Sequence, residues 1–425
     1  MPDLSLHSLS SFAWFTNAVV LAVTAGVFIY LWSPRIRNSR LWMATATPLA
    51  SIIGSGFLVV APLLAYTVGN WSLPTMLGIV ALAYAVGGAV RYNILHVEAI
   101  TESRQSKSDT EAALKWLERA AKISLALAYV VAIAFYLELL AAFVLRLFDV
   151  QDMFKQKLIA TFLLMFIGGF GFWRGLHPLE SLEKYSVDTK LAIIGGFLAG
   201  LAVLNGHHLL QGTWELAELE VDWSTDTVRK LLGAFLIVQG FETSRYLRNV
   251  YSKEDRAATM RGAQLISAAI YLLFIGLASI LLGDFGSISE TGIIDLSGQV
   301  ALVVPFLLVI GAVMAQFSAA VADTLASGGL VEAATYGHIK HRYVYVGVTS
   351  LAVALLWSSH ILSIIAYASR AFAFYYAIQC TIAALHAARL QPGKAQVAKA
   401  VGFSFLGLLM LITAIFGIPV ESVGA

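Results

Sequence analysis

Ionisable side chains sit inside stretches that are otherwise apolar enough to lie in a bilayer: Glu138 (AFYLELL), Lys190 (VDTKLAII), Glu242 (VQGFETS), Asp323 (AAVADTLAS) and Arg370 (AYASRAFAF). Facing lipid, each would be costly, so each is expected to face a bundle interior and to pair, gate or carry a proton there. A lysine in such a place is disfavoured as a cation and can load and release a proton during a reaction cycle. Its position near the start of its apolar run also allows Lys190 to snorkel to the interface instead. Glu138 and Arg370 are expected to take part in acid–base pairing within the core, either structural or as part of a gate. Asp323, beside Ser318 and Thr324, lies on a run whose hydroxyls and carboxylate could equally hold a cation.

Two interruptions at membrane depth would position these groups. In TPLASIIGSGFLVVAPLL, Gly54-Ser55-Gly56 breaks the run near its middle, and in LLGAFLIVQGFETSRYL, Gln239-Gly240 precedes Phe241 and Glu242. Glycine in a helix interior costs about 1 kcal/mol relative to alanine. In lipid the freed backbone groups need partners, such as a cavity, a ligand or an ion. Half-helix N-termini at such breaks present positive dipole ends to an anionic group, while unwound carbonyls accept from a cation or an ammonium. Small residues also permit close helix packing with no site at all. Two breaks at matching positions favour the site, and a zwitterion would suit both ends of it.

The elements carrying these residues are apolar runs of spanning length, about twelve of them. They cover roughly 12–32, 42–68, 73–95, 123–147, 158–173, 185–204, 231–247, 263–282, 300–325, 343–357, 361–387 and 401–416. The expected fold class is therefore an all-α polytopic membrane protein of about twelve transmembrane helices. Five crossings separate the start of the first broken run from the start of the second, so the broken segments enter from opposite sides, as an inverted repeat of five plus five helices requires. That gives a single transport domain over 1–425: an extra helix at 12–32, repeat one at 42–204, repeat two at 231–387 and a further helix at 401–416. Lys and Arg gather in alternate loops, which are assigned to the cytoplasm. The opposite side carries the acidic stretch at 215–226.

Composition narrows the function. Hydrophobic residues make up 59% of the chain and charged residues 13%, which favours a polytopic membrane protein over a soluble enzyme. A lone cysteine, Cys380, leaves no disulfide framework or thiolate metal cluster, and no metal site is expected. The N-terminus lacks the basic region of a cleavable signal peptide, so the first run is expected to be retained. No phosphate-binding loop, zinc helix or nucleophile elbow is present, so neither ATP-driven transport nor hydrolysis is supported, and the chain is not expected to be an enzyme. Of the aromatics in the core runs, Tyr136 and Phe241 go forward as substrate contacts; Tyr129, Tyr367, Tyr375 and Tyr376 are read as packing or interface anchors.

IIGSGFLVVAPL resembles the Gly-(Ser/Ala)-Gly-Ile-Phe segment of the first helix in the amino acid-polyamine-organocation superfamily of permeases. FLIVQGFETSRYLRNVYSKEDR is similar to their sixth helix with its Gly-Phe-Glu, and PLESLEKYSVDTKLAIIGGFLAG to their fifth with its Thr-Lys-Leu. The resemblance implies the leucine-transporter fold, with the substrate held by Ile53, Gly54, Ser55, Gly56 and Phe57 on one break and Ile237, Val238, Gln239, Gly240 and Phe241 on the other. Amides around Ser55, Gly56 and Phe57 would meet a carboxylate; carbonyls around Ile237, Val238 and Gln239 would meet an amine. Lys190 matches the family lysine that takes the place of a sodium ion in proton-coupled members, and Glu242 would help close the cytoplasmic path. The run around Ser318 also resembles sodium-solute symporters, which share the extra first helix. Lysine and sodium in one seat would repel strongly at low dielectric. Proton coupling follows if Lys190 is in the seat, and sodium coupling if it is not.

The expected function is secondary transport of a small organic solute, an amino acid or related amine, across the cell inner membrane. No cofactor is expected beyond the coupling ion, H+ or Na+. Partners are the solute and the lipid bilayer, with no nucleic acid and with a homodimer left open. A transporter-like sensor or a channel is the alternative of another class.

Overall fold

The structure is a computed structural model that describes residues 11–54, 56–103, 105–216, 219, 221, 223–284, 290–390 and 393–420. The helices in chain order are α1 (Ser11–Trp32), α2 (Pro34–Arg37), α3 (Arg40–Ile52), α4 (Gly56–Val68), α5 (Ser72–His96), α6 (Glu98–Glu102), α7 (Asp109–Arg146), α8 (Met153–Arg174), α9 (His177–Gln211) and α10 (Thr225–Gly233). Two 3-10 segments follow, Phe235–Val238 and Phe241–Asn249, and then α11 (Lys253–Ala278), α12 (Gly292–Val300), α13 (Val304–Ala334), α14 (His341–Ser358), α15 (Ile361–Arg389) and α16 (Lys394–Phe416).

Nine stretches among the described residues are long and apolar enough to cross a membrane. One of them, 56–96, contains both α4 and α5, two of the expected crossings. Two other expected crossings are not among the nine. The run at 231–247 is divided between the end of α10 and the two 3-10 segments, and α14 begins with the polar His341-Arg342. A segment interrupted by a break has no long hydrogen-bonded helix, and it needs neighbours to satisfy its backbone.

Helix ends follow local chemistry. Ser108 accepts from the Glu111 amide at the start of α7, Ser224 from Thr227 at α10 and Ser252 from Asp255 at α11, each satisfying a donor that a first turn leaves unpaired. Acidic Glu254 and Asp255 then sit on the positive end of α11.

Four of the five helix pairs that an inverted repeat would relate lie in contact. Counted from the first break, second and seventh helices (α5, α11) pack together, as do third and eighth (α7, α13) and fourth and ninth (α8, α14). The first and sixth, both broken, meet through α3 with 241–249 and α4 with 235–238. α1 lies on α9, and α16 on α15, outside the repeats.

Candidate functional site

α3 stops at Ile52 and α4 starts at Gly56; Ser55 lies outside the described residues. The second break runs from Val238 to Phe241 and turns at Gly240, whose φ of 114° is a conformation that favours glycine. The breaks touch. A β-carbon on Gly56 would lie 2.7 Å from the Ile237 Cα, and one on Gly240 would lie 2.7 Å from the Ser51 carbonyl carbon. Both glycines are thus required where two backbones cross, so close packing and the double break are one feature here.

Side chains on neighbouring helices take up the freed carbonyls. The Lys190 Nζ of α9 donates to the Ala50 carbonyl at 2.7 Å. The Tyr271 hydroxyl of α11 lies 3.0 Å from the Ile52 carbonyl and 2.8 Å from the Ile237 carbonyl. Lys190 does not snorkel outward: it is 8% exposed and points at the C-terminal end of α3. A cation there meets the negative end of a helix dipole.

On the second break the Glu242 carboxylate, fully buried, accepts from the Gly240 amide at 3.0 Å and from the Tyr376 hydroxyl at 2.5 Å. Tyr376 also stacks on Phe241, ring centroids 4.8 Å apart. Gln239 lies 3.5 Å from the Tyr136 hydroxyl. Glu242, expected to help close the cytoplasmic path, sits beside the turn at Gly240 and holds it through the Gly240 amide.

A cavity of about 550 Å³ lies alongside, reaching from Ser51, Lys190 and Asp323 to Glu102, Arg248 and His341 near the ends that bear the basic loops. This volume falls within the range of small-molecule sites. Ser318 lines it too and bonds the Ser186 hydroxyl at 3.1 Å. Thr324 does not line it; its hydroxyl donates to the Ala320 carbonyl within α13. Of the aromatics, Tyr129 and Tyr375, read from sequence as packing, line the cavity, whereas Tyr136 and Phe241 are buried and do not line it. A smaller cavity of about 20 Å³ lies against Ile53, Gly54 and Phe57 and also reaches Lys190.

A buried ion network borders the main cavity. Arg245 pairs with Glu118 at 2.9 Å and lies 3.7 Å from Glu98, and Arg256 pairs with Glu98 at 2.6 Å. It ties 241–249 to α6, α7 and α11. Hydropathy does not single out Glu118, because α7 begins at Asp109, well before its apolar stretch.

The expected pairing of Glu138 with a core base is not found. Arg370 is exposed and donates through Nε to the Ala414 carbonyl of α16 at 2.8 Å. Glu138 is 1% exposed, its Oε2 meets no hydrogen-bond partner, and no ion pair joins it to Arg370. Symmetry had placed their helices correctly but not the faces from which the side chains project.

Crossed broken helices, with a cavity that reaches from Ser51 beside the first break to Thr243 and Arg245 just past the second, fit the leucine-transporter fold. Residues 34–417 match the family model of APC superfamily transporters, and the chain belongs to that superfamily. It is 43% identical over 385 residues to a protein of Aquifex aeolicus (strain VF5) described as uncharacterized, covering 90% of this chain and 92% of that one. Among solved structures it resembles the Eremococcus coleocola manganese transporter in complex with an aromatic bis-isothiourea substituted compound, at 11% identity and a TM-score of 0.52, covering 88% of this chain and 86% of the other. It also resembles a Na+-coupled sialic acid symporter in its substrate-bound outward-open state, at 15% identity and a TM-score of 0.51, covering 97% and 99%.

Proposed function

We propose that this protein is a secondary active transporter of a small organic solute, an amino acid or related amine, working by alternating access with proton coupling in the cell inner membrane. The observation that carries the reading is the Lys190 ammonium on the Ala50 carbonyl, at the deep end of the cavity and beside the first break. A protein cation already occupies the carbonyl end of α3. A sodium ion at the same point would add a second like charge at low dielectric. The cavity is the basic-end vestibule through which solute leaves toward the cytoplasm, and Asp323 and Ser318 face it from α13.

Manganese, the cargo named for one structural neighbour, is a poorer fit. Such cations favour clustered oxygen and imidazole ligands. Among the described residues no group of three or more His, Cys, Asp or Glu converges.

The test is uptake of a radiolabelled amino acid mixture into liposomes under an imposed proton or sodium gradient, for wild type and Lys190→Ala. Proton-driven accumulation lost in the variant supports the reading. Sodium-driven accumulation indifferent to the variant makes the protein a sodium symporter. No accumulation under either gradient removes amino acid transport and favours a sensor, a channel or another solute.

A further inference from the structure

Tyr271 is fully buried in α11, and its hydroxyl touches a carbonyl of each break, Ile52 at the end of α3 and Ile237 before Gly240. Both carbonyls belong to backbone whose helical partner is lost at an interruption, and in lipid such groups must find donors. One phenol serves both. It has a single proton, so it donates to one carbonyl at a time and stays within reach of the other. The breaks also approach each other closely at Gly56 against Ile237 and Gly240 against Ser51.

We infer that Tyr271 is a positioning residue for transport: its hydroxyl joins the two breaks so that they shift as one unit when the bundle rocks. The inference rests on the alternating-access reading above. The ring supports the geometry separately. It lies 6.0 Å from the ring of Phe57, which packs on Phe274 at 4.5 Å, so removing the hydroxyl alone leaves the aromatic packing in place.

The experiment is amide hydrogen exchange by mass spectrometry on the full chain in lipid nanodiscs, for wild type, Tyr271→Phe and Phe274→Leu, together with uptake kinetics. In Tyr271→Phe, exchange rises roughly fivefold around 53–58 and around 237–241 together, as loss of one buried hydrogen bond predicts. Phe274→Leu loses packing on the same helix and keeps the hydroxyl, so it does not produce the paired rise. Turnover of the solute that wild type accumulates falls about tenfold in Tyr271→Phe, with KM changed less than about threefold. A rise at one break only, a rise at neither, the same paired rise in Phe274→Leu, or loosened breaks with unchanged turnover overturns the inference. A wild type that accumulates nothing sinks the transport reading instead, and the exchange comparison then decides whether the hydroxyl joins the breaks.

Discussion

The ammonium nitrogen of Lys190 lies 2.7 Å from the carbonyl oxygen of Ala50, so a side chain of α9 supplies the donor that the interrupted end of α3 needs. Replacing Lys190 with Met removes the charge and keeps most of the stem. A hydrogen bond made by a charged group contributes roughly 1.5–3 kcal/mol, and the Ala50 carbonyl would then be short of a donor. Lys190→Met is expected to fold, to melt at a lower temperature in detergent, and to lose proton-driven accumulation. Retained proton-driven accumulation would show that the ammonium is a cap and no more.

Glu242 and Tyr376 predict a graded pair of defects. Tyr376→Phe removes the 2.5 Å bond to the carboxylate and keeps the stack on Phe241. Its cost is that of one charge-assisted bond, roughly 1.5–3 kcal/mol. Glu242→Gln keeps an oxygen that can stand in for Oε2, on which both donors converge, and removes the charge. Both bonds then become neutral ones, each weaker than its charge-assisted counterpart, and the amide nitrogen is buried in place of Oε1, which meets no hydrogen-bond partner, so the loss of turnover should be the larger. Initial uptake rates for the two variants, compared with their melting temperatures, check the order; equal rates in both would dissociate Glu242 from the transport step.

Gly240→Ala tests the crossing of the breaks. At φ 114° an alanine is strained, and its β-carbon would stand 2.7 Å from the Ser51 carbonyl carbon. A strained backbone position costs of order 1–3 kcal/mol before the clash is counted. The expected result is a chain that elutes with an aggregated fraction and shows no uptake. Gly347→Ala on α14, where a β-carbon meets nothing within 4 Å, should be silent in both measurements.

What could be read from sequence divides along these residues. Gly54-Ser55-Gly56 and Gln239-Gly240 were visible because glycine at membrane depth is poor helix, and their matching positions implied the repeat. Lys190 was visible because charge in an apolar run is costly. Tyr271 was not: a tyrosine in an apolar run has no local signature, and its partners are backbone carbonyls on two other segments. Arg370 was misread because symmetry fixes which helices correspond, whereas the face from which a side chain projects depends on helix rotation. Glu118 was passed over because hydropathy marks where α7 is apolar and is silent on the turns beyond, where the helix carries this acid to Arg245.

That Arg245–Glu118 pair yields the last prediction. Both side chains are at most 10% exposed, and they join 241–249 on the broken sixth helix to α7. Deleting one member of a buried pair typically costs 3–5 kcal/mol, much of it from leaving the other charge uncompensated. Arg245→Ala should therefore destabilise the protein severely, with Glu98 left to Arg256 and Glu118 left to a neutral partner, Gln379 at 3.5 Å. Removing the stranded charge as well, in Arg245→Ala with Glu118→Gln, should recover a large part of the lost stability, because the desolvation penalty goes with it. If the ion pair also holds the basic-end vestibule in its present arrangement, the double variant will regain its melting temperature without regaining wild-type turnover. Denaturation midpoints and uptake rates for the two single variants and the double variant separate these effects; full recovery of both would make the pair a stabilising contact with no part in the transport cycle.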